Sequence, residues 1–194
     1  MQSSSQLMIN RPRETPVVIL TGAARSGKDA AAEVLRDEYG CQMLVFSVIL
    51  REECRRRGLD AGQKLNLTKV AGELREKGGM GILGKLIVGK INPPSVIVGA
   101  RSPEEIAEIR KKFPKAVLVE VFADPKVRFG RRKPEDPRDW EKFFSRDKTD
   151  EEKYGMARVF GMRDYRVENN GTLDELGRKT RELAERLGLK RAGK

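Results

Sequence analysis

The chain has 194 residues, with 40 Lys and Arg against 29 Asp and Glu, a net charge of +11, no His and two Cys. That length fits one domain with a full core, and the lack of His excludes a Ser-His-Asp triad, a histidine general base and a His-ligated metal. Cys41 and Cys54 are too few for a zinc ribbon or a disulfide scaffold, and no apolar run approaches the ~20 residues of a membrane span.

Residues 1–15 (MQSSSQLMINRPRET) are polar, lack the apolar centre of a signal peptide and read as a flexible arm. A single domain is expected over 16–189, with a frayed tail over 190–194, in a soluble cytoplasmic protein. The runs 16–21 (PVVILT), 43–46 (MLVF), 95–99 (SVIVG), 116–123 (AVLVEVFA) and 165–168 (YRVE) read as strands. Their β-branched residues do not alternate cleanly with polar ones, which implies burial on both faces of a parallel sheet.

Helix signals fall between these strands. Residues 29–38 follow the first, with Ala31, Val34 and Leu35 on one face. Ser102-Pro103-Glu104-Glu105 carries an N-cap, a Pro in the first turn and a capping-box Glu. Asp124-Pro125 and Asp136-Pro137 read as two further helix starts. Thr172 opens a second capping box and an apolar stripe of Leu173, Leu176, Thr180, Leu183 and Leu187. Strand–helix alternation predicts an α/β fold: three layers, a central parallel sheet of about five strands and helices on both faces.

The strongest chemical motif follows the first strand, where Gly22-x-x-x-x-Gly27-Lys28 has the spacing of a phosphate loop. Gly22 and Gly27 allow the turn and close backbone approach. The amides of Ala24, Arg25, Ser26, Gly27 and Lys28 form an anion nest, and the next helix, opening through Asp29 and Ala30, adds its positive end. Lys28 reaches the β- and γ-phosphates of a nucleotide as a point charge. Asp29 stands where such loops usually carry the Mg²⁺-ligating Ser or Thr. It is either a carboxylate ligand for Mg²⁺ or an acidic residue favouring the helix N-terminus.

From this point the sequence resembles the P-loop small-molecule kinases, most nearly an archaeal group described as adenylate-kinase-like or dephospho-CoA-kinase-like. The likeness spans most of 16–188. It is carried by 46–59 (FSVILREECRRRGL), 74–81 (LREKGGMG), 98–102 (VGARS), 123–131 (ADPKVRFGR), 136–147 (DPRDWEKFFSRD) and 163–176 (RDYRVENNGTLDEL). The resemblance implies ATP and Mg²⁺ as cofactors and a small helical lid over about 125–160. Arg128, Arg132 and Arg146 then stabilise the transferring phosphoryl group, and Arg131 stacks on the adenine. Asn169 to Gly171 line the base pocket or form an ordinary turn. Asp147 orients Arg146 or contacts metal. Val98 stands where the group carries a carboxylate at the third strand's end. Either Asp29 has taken over its metal work, or the site binds nucleotide and transfers little.

Arg51 and Arg55 lie one turn apart. With Ser47 beside it, Arg51 either holds the acceptor's phosphate, or the segment is a solvated face in which Glu52 and Glu53 pair with Arg56 and Arg57. Arg101 sits at the carboxyl edge of the third strand, where ligands bind in open α/β sheets, and is expected to hold the acceptor. The phenylalanines read as core and the two thiols as inert. The expected activity is transfer of the γ-phosphoryl group of ATP to a small phosphorylated acceptor, a nucleoside monophosphate ahead of dephospho-CoA. The alternatives are a nucleotide-binding switch with little transfer, or a nucleic-acid-associated protein suggested by the charge. The sequence leaves the oligomeric state open and predicts no membrane partner.

Overall fold

The computed structural model describes residues 16–193; the expected arm over 1–15 lies outside them. Five strands form one sheet in the order β2-β3-β1-β4-β5, and every neighbouring pair is parallel. The strands are β1 (Val17–Thr21), β2 (Gln42–Val45), β3 (Ser95–Val98), β4 (Val117–Phe122) and β5 (Tyr165–Glu168). The helices are α1 (Lys28–Tyr39), α2 (Phe46–Arg56), α3 (Lys64–Gly78), α4 (Ile82–Val88), α5 (Pro103–Lys112), α6 (Pro125–Gly130), α7 (Trp140–Tyr154), α8 (Met156–Gly161) and α9 (Leu173–Arg186).

Burial explains the sheet. The three inner strands are apolar at nearly every position because helices cover both faces. Val18, Leu20, Val96, Val98, Val119 and Val121 pack with α1 and α9 on one face. Val17, Ile19, Ile97 and Leu118 pack with α2, α4, α5 and α8 on the other. The edge strands are more polar, and β5 buries Val167 alone. The three-layer α/β expectation therefore holds.

Several helix ends follow the sequence signals. Ser102 and Thr172 each form a complete capping box, opening α5 and α9. Pro125 opens α6. One start differs: α7 begins at Trp140, capped by Asp139 accepting from the Lys142 amide, and not at Pro137. Asp136 instead turns its carboxylate to Arg25 and to the Lys133 amide, both on Oδ2. Leu173 also leaves the predicted apolar stripe. It is 71% exposed, while Leu176, Thr180 and Leu183 face the core with Gly177 and Ala184. Val34 is half-buried, and Ala32 replaces it on the inward face of α1. In the expected tail, Lys190 to Gly193 are exposed and irregular, with the Ala192 amide bonded to the Glu38 carbonyl.

Candidate functional site

The loop between β1 and α1 sits at the carboxyl end of the central strand. Its geometry depends on two glycines. Gly22 has φ +152°, and a Cβ there would lie 2.4 Å from the Val121 carbonyl oxygen and 2.6 Å from Ser26 Oγ. Gly27 has φ +98°, and a Cβ there would lie 2.2 Å from Asn169 Nδ2. Neither position admits a side chain. Arg25 takes φ +63° without being glycine, a conformation that turns successive amides toward a common concavity. The Ser26 amide donates to the Ala23 carbonyl at 3.2 Å, while Ser26 Oγ is buried without a hydrogen-bond partner. The first-turn amides of α1 have no intrahelical acceptor. An orphaned hydroxyl beside free helix-start amides fits a phosphate ligand.

Distant residues stitch the loop in place. Asn169, 2% exposed, donates from Nδ2 to the Ser26 carbonyl at 2.8 Å. Arg128 is buried on α6. It donates to the Ala24 carbonyl at 3.1 Å and to Asp147 Oδ2 at 2.6 Å, with Phe144 against its guanidinium at 4.9 Å. Arg25 donates to Asp136 at 2.5 Å and to Glu135 at 3.2 Å, both in the loop before α7. This pairing raises the Arg25 pKa, chiefly through the hydrogen bond to Asp136, and lowers that of Asp136 for the same reason.

Lys28 opens α1 with its side chain 19% exposed, 3.7 Å from the Asp29 carboxylate. Burial lowers its pKa most. Asp29 opposes that shift, and the positive charges of Arg146 and Arg101 lower it further. Those two arginines, from α7 and from the end of β3, meet at Asp150. Arg101 is fixed at its backbone, where its amide donates to Glu105 Oε2 at 2.7 Å. Its side chain donates to Asp150 Oδ1 at 3.2 Å. Arg146 Nε lies 3.9 Å from Asp150 Oδ2. Glu105 also holds Arg75 at 2.7 Å, and Arg75 rests on the Tyr154 ring at 4.5 Å. Asp29 is 68% exposed at the mouth of the loop and Ala30 is half-buried behind it.

The remaining sequence candidates distribute as follows. Arg131 does not lie open. It donates to the carbonyls of Asn169 and Gly171 at 2.8 and 2.7 Å, tying α6 to the loop after β5. Arg132 turns back onto its own helix, bonding the Phe129 carbonyl and covering the Phe129 ring at 3.6 Å. Arg51 donates to Ser47 Oγ at 3.2 Å within α2. Arg56 and Arg57 both pair with Glu53, whose carboxyl is pulled down to about 2 by hydrogen bonds to the two guanidinium groups. Glu52 pairs with Lys90 instead. Phe129, Phe143 and Phe144 gather with Trp140 into one cluster between α6 and α7.

Four participants escaped sequence reasoning: Arg75, Glu105 as a bridge to Arg101, Asp150 and Tyr154. The one available signal was the spacing of 146, 150 and 154, which places three functional side chains on one stripe of α7. Among the described residues no cluster of three or more acidic or Cys side chains could hold a metal alone. Mg²⁺ needs no such cage when nucleotide phosphates supply ligands, and Asp29 is the carboxylate placed to add one.

No family model matches the chain. Curated relatives do. A UPF0200 protein of Thermococcus gammatolerans is 36% identical over 191 residues, covering 91% of this chain and 99% of the relative. A UPF0200 protein of Hyperthermus butylicus is 34% identical, covering 88% and 94%. Their names do not carry the adenylate-kinase-like or dephospho-CoA-kinase-like subgroup that the motifs suggested. Among solved structures, shikimate kinase from Bacteroides thetaiotaomicron aligns with a TM-score of 0.60 at 17% identity, covering 90% of this chain and 99% of that one. Shikimate kinase from Acinetobacter baumannii aligns at 0.57 and 15%, covering 92% and 97%. At these identities the likeness establishes the P-loop kinase fold. Among the described residues no helix is long and apolar enough to cross a membrane.

Proposed function

The chain belongs to the UPF0200 family, and from that premise we propose that it is a phosphotransferase that binds ATP in the 22–28 loop and passes the γ-phosphoryl group to a small phosphorylated acceptor. The observation that carries this reading is the loop itself, whose glycines leave room for nothing but backbone, whose Ser26 hydroxyl is buried without a partner and which ends on Lys28. Phosphoryl transfer asks a protein mainly to position groups and to neutralise charge. Lys28 and the helix-start amides bind the phosphates. Asp29 is the residue that would hold Mg²⁺, which supplies charge neutralisation at the phosphates. Arg146 and Arg128 belong to the segment 125–160, which acts as a lid over the loop. Arg101 orients the acceptor, with Ser47 and Arg51 at the outer wall. Asn169, Gly171 and Arg131 form the floor next to the base.

The acceptor's chemistry follows from what the strand ends lack. After β2 the chain reads Phe46-Ser47, and after β3 it reads Gly99-Ala100. Neither end offers a carboxylate to take a proton from an alcohol. An acceptor phosphate oxygen is already ionised and needs no base, whereas a hydroxyl acceptor does. This favours a nucleoside monophosphate over dephospho-CoA, whose acceptor is a ribose hydroxyl. The second reading, a nucleotide-binding switch with little transfer, draws on Val98 and Asp29 standing at the positions of the usual metal-site residues.

The test is ADP release from ATP and Mg²⁺ across AMP, CMP, UMP, GMP, deoxynucleoside monophosphates and dephospho-CoA, with Lys28→Ala in parallel. Acceptor-dependent turnover lost in the variant is the expected result. Tight ATP binding without turnover on any acceptor favours the switch. Loss of ATP binding from both proteins rules out both readings.

A further inference from the structure

Asp150 bridges Arg101 and Arg146. Helix α7 presents Arg146, Asp150 and Tyr154 at successive turns of one face. The Asp150 side chain is 19% exposed, with one oxygen 3.2 Å from Arg101 Nη1 and the other 3.9 Å from Arg146 Nε. The Arg101 backbone is anchored apart from this carboxylate. Its amide is held by Glu105, and the Arg101 guanidinium lies 6.0 Å from the Tyr154 ring. The carboxylate fills the gap between two cations that are otherwise positioned from different elements.

We propose that Asp150 is a specificity-determining residue of the acceptor subsite: its carboxylate stands between Arg101 and Arg146 where the acceptor's phosphate goes, so the acceptor must displace it. This deepens the kinase reading and rests on it. A tethered carboxylate competes at an effective concentration of order millimolar or above. It brings one negative charge and two oxygens. A phosphomonoester dianion brings two charges and three oxygens, and it takes forked arginine donors better. The subsite therefore accepts phosphomonoesters and rejects carboxylates and other monoanions, which gain too little to push Asp150 aside. Until the acceptor arrives, the carboxylate offsets the repulsion between Arg101 and Arg146.

Calorimetric titration at pH 8 and low salt tests this, with phenyl phosphate as the dianionic probe and benzoate as the monoanionic one. Wild type should bind phenyl phosphate and ignore benzoate. Asp150→Asn should bind phenyl phosphate about tenfold tighter and gain benzoate binding. Arg101→Ala should abolish the benzoate binding and the tenfold gain, leaving only the phenyl phosphate that the 22–28 loop takes. Asp150→Ala serves as the second variant, with the same sign expected, and melting curves check that each protein is folded. Unchanged or weaker phosphate binding in the folded Asp150 variants, or no gain of benzoate, overturns the proposal and leaves Asp150 as a strut for the arginines. These titrations need no turnover. ATP binding by wild type and Lys28→Ala in the same instrument reports separately on the kinase reading.

Discussion

At the scale of single residues, the phosphate loop is a steric argument. Gly27→Ala would place a methyl group 2.2 Å from Asn169 Nδ2 at φ +98°. The amide would have to leave the Ser26 carbonyl it now holds at 2.8 Å. Strain of this kind costs about 1–3 kcal/mol, so a fall in melting temperature together with lost ATP affinity is expected. Gly58→Ala is the control. It also has positive φ, +69°, but open space around it, so it should lose about 1–2 kcal/mol of stability and leave ATP affinity unchanged. Equal loss of ATP affinity in both variants would mean that global stability, not loop shape, governs binding. The thiols give a second residue-scale prediction. Burial pushes Cys41 up to about 11, and Cys54 is fully buried. At pH 8 only about one Cys41 in a thousand is thiolate, so the folded protein should react slowly with a thiol reagent and expose two groups once unfolded. The glycine–lysine spacing made the loop readable from sequence. The role of Asn169 in gripping the loop was not, because its partner lies 143 residues away and no local pattern encodes that contact.

At the scale of elements, Glu105 joins three tasks that a capping box usually keeps apart. It closes the N-terminus of α5, receives the Arg101 amide and neutralises Arg75, all while 0% exposed. Glu105→Ala strands a buried guanidinium and two amides, and removing one partner of such a pair costs about 3–5 kcal/mol. Ser102→Ala removes one cap hydrogen bond and should cost about 1 kcal/mol. Thr172→Ala, in the exposed box of α9, should cost about the same. Denaturant midpoints would rank the three. A Glu105→Ala loss no larger than that of Thr172→Ala would show that the Arg75 pair contributes nothing net. The boxes were readable because Ser-x-x-Glu and Thr-x-x-Glu are local patterns. The inner strands were readable because runs such as VVIL and VIV leave no polar face, whereas β5 (YRVE) buries Val167 alone and has no such run; the observed ends of all five fall within two residues of the sequence runs. The start of α7 failed for the opposite reason. Asp136 has the chemistry of a cap, but Arg25 from the distant phosphate loop claims its carboxylate, and Asp139 caps in its place.

At the scale of the molecule, arginines from both strongly basic stretches of the chain are tied into the fold. The two basic clusters visible in the sequence, at 51–57 and 126–138, supply Arg56 and Arg57 to Glu53, Arg128 to Asp147 and the phosphate loop, and Arg131 to the loop after β5. That placement accounts for these arginines and leaves the net charge of +11 as it was. It also shows what joins the segment between β4 and β5 to the phosphate loop: the Arg128–Ala24 hydrogen bond and the Arg25 pairs with Asp136 and Glu135. Asp136 is held below its ordinary carboxylate range by Arg25. The stability this pair contributes is present at neutral pH and is lost only as pH falls through the lowered value. Asp136→Ala should therefore release the loop at pH 7, with faster amide exchange across 131–139 and little change in the exchange of β1 or β4. ATP should slow that exchange in wild type by bringing Arg146 onto its phosphates. If ATP leaves exchange across 131–139 unchanged in wild type, segment 125–160 is a fixed wall of the site and not a lid.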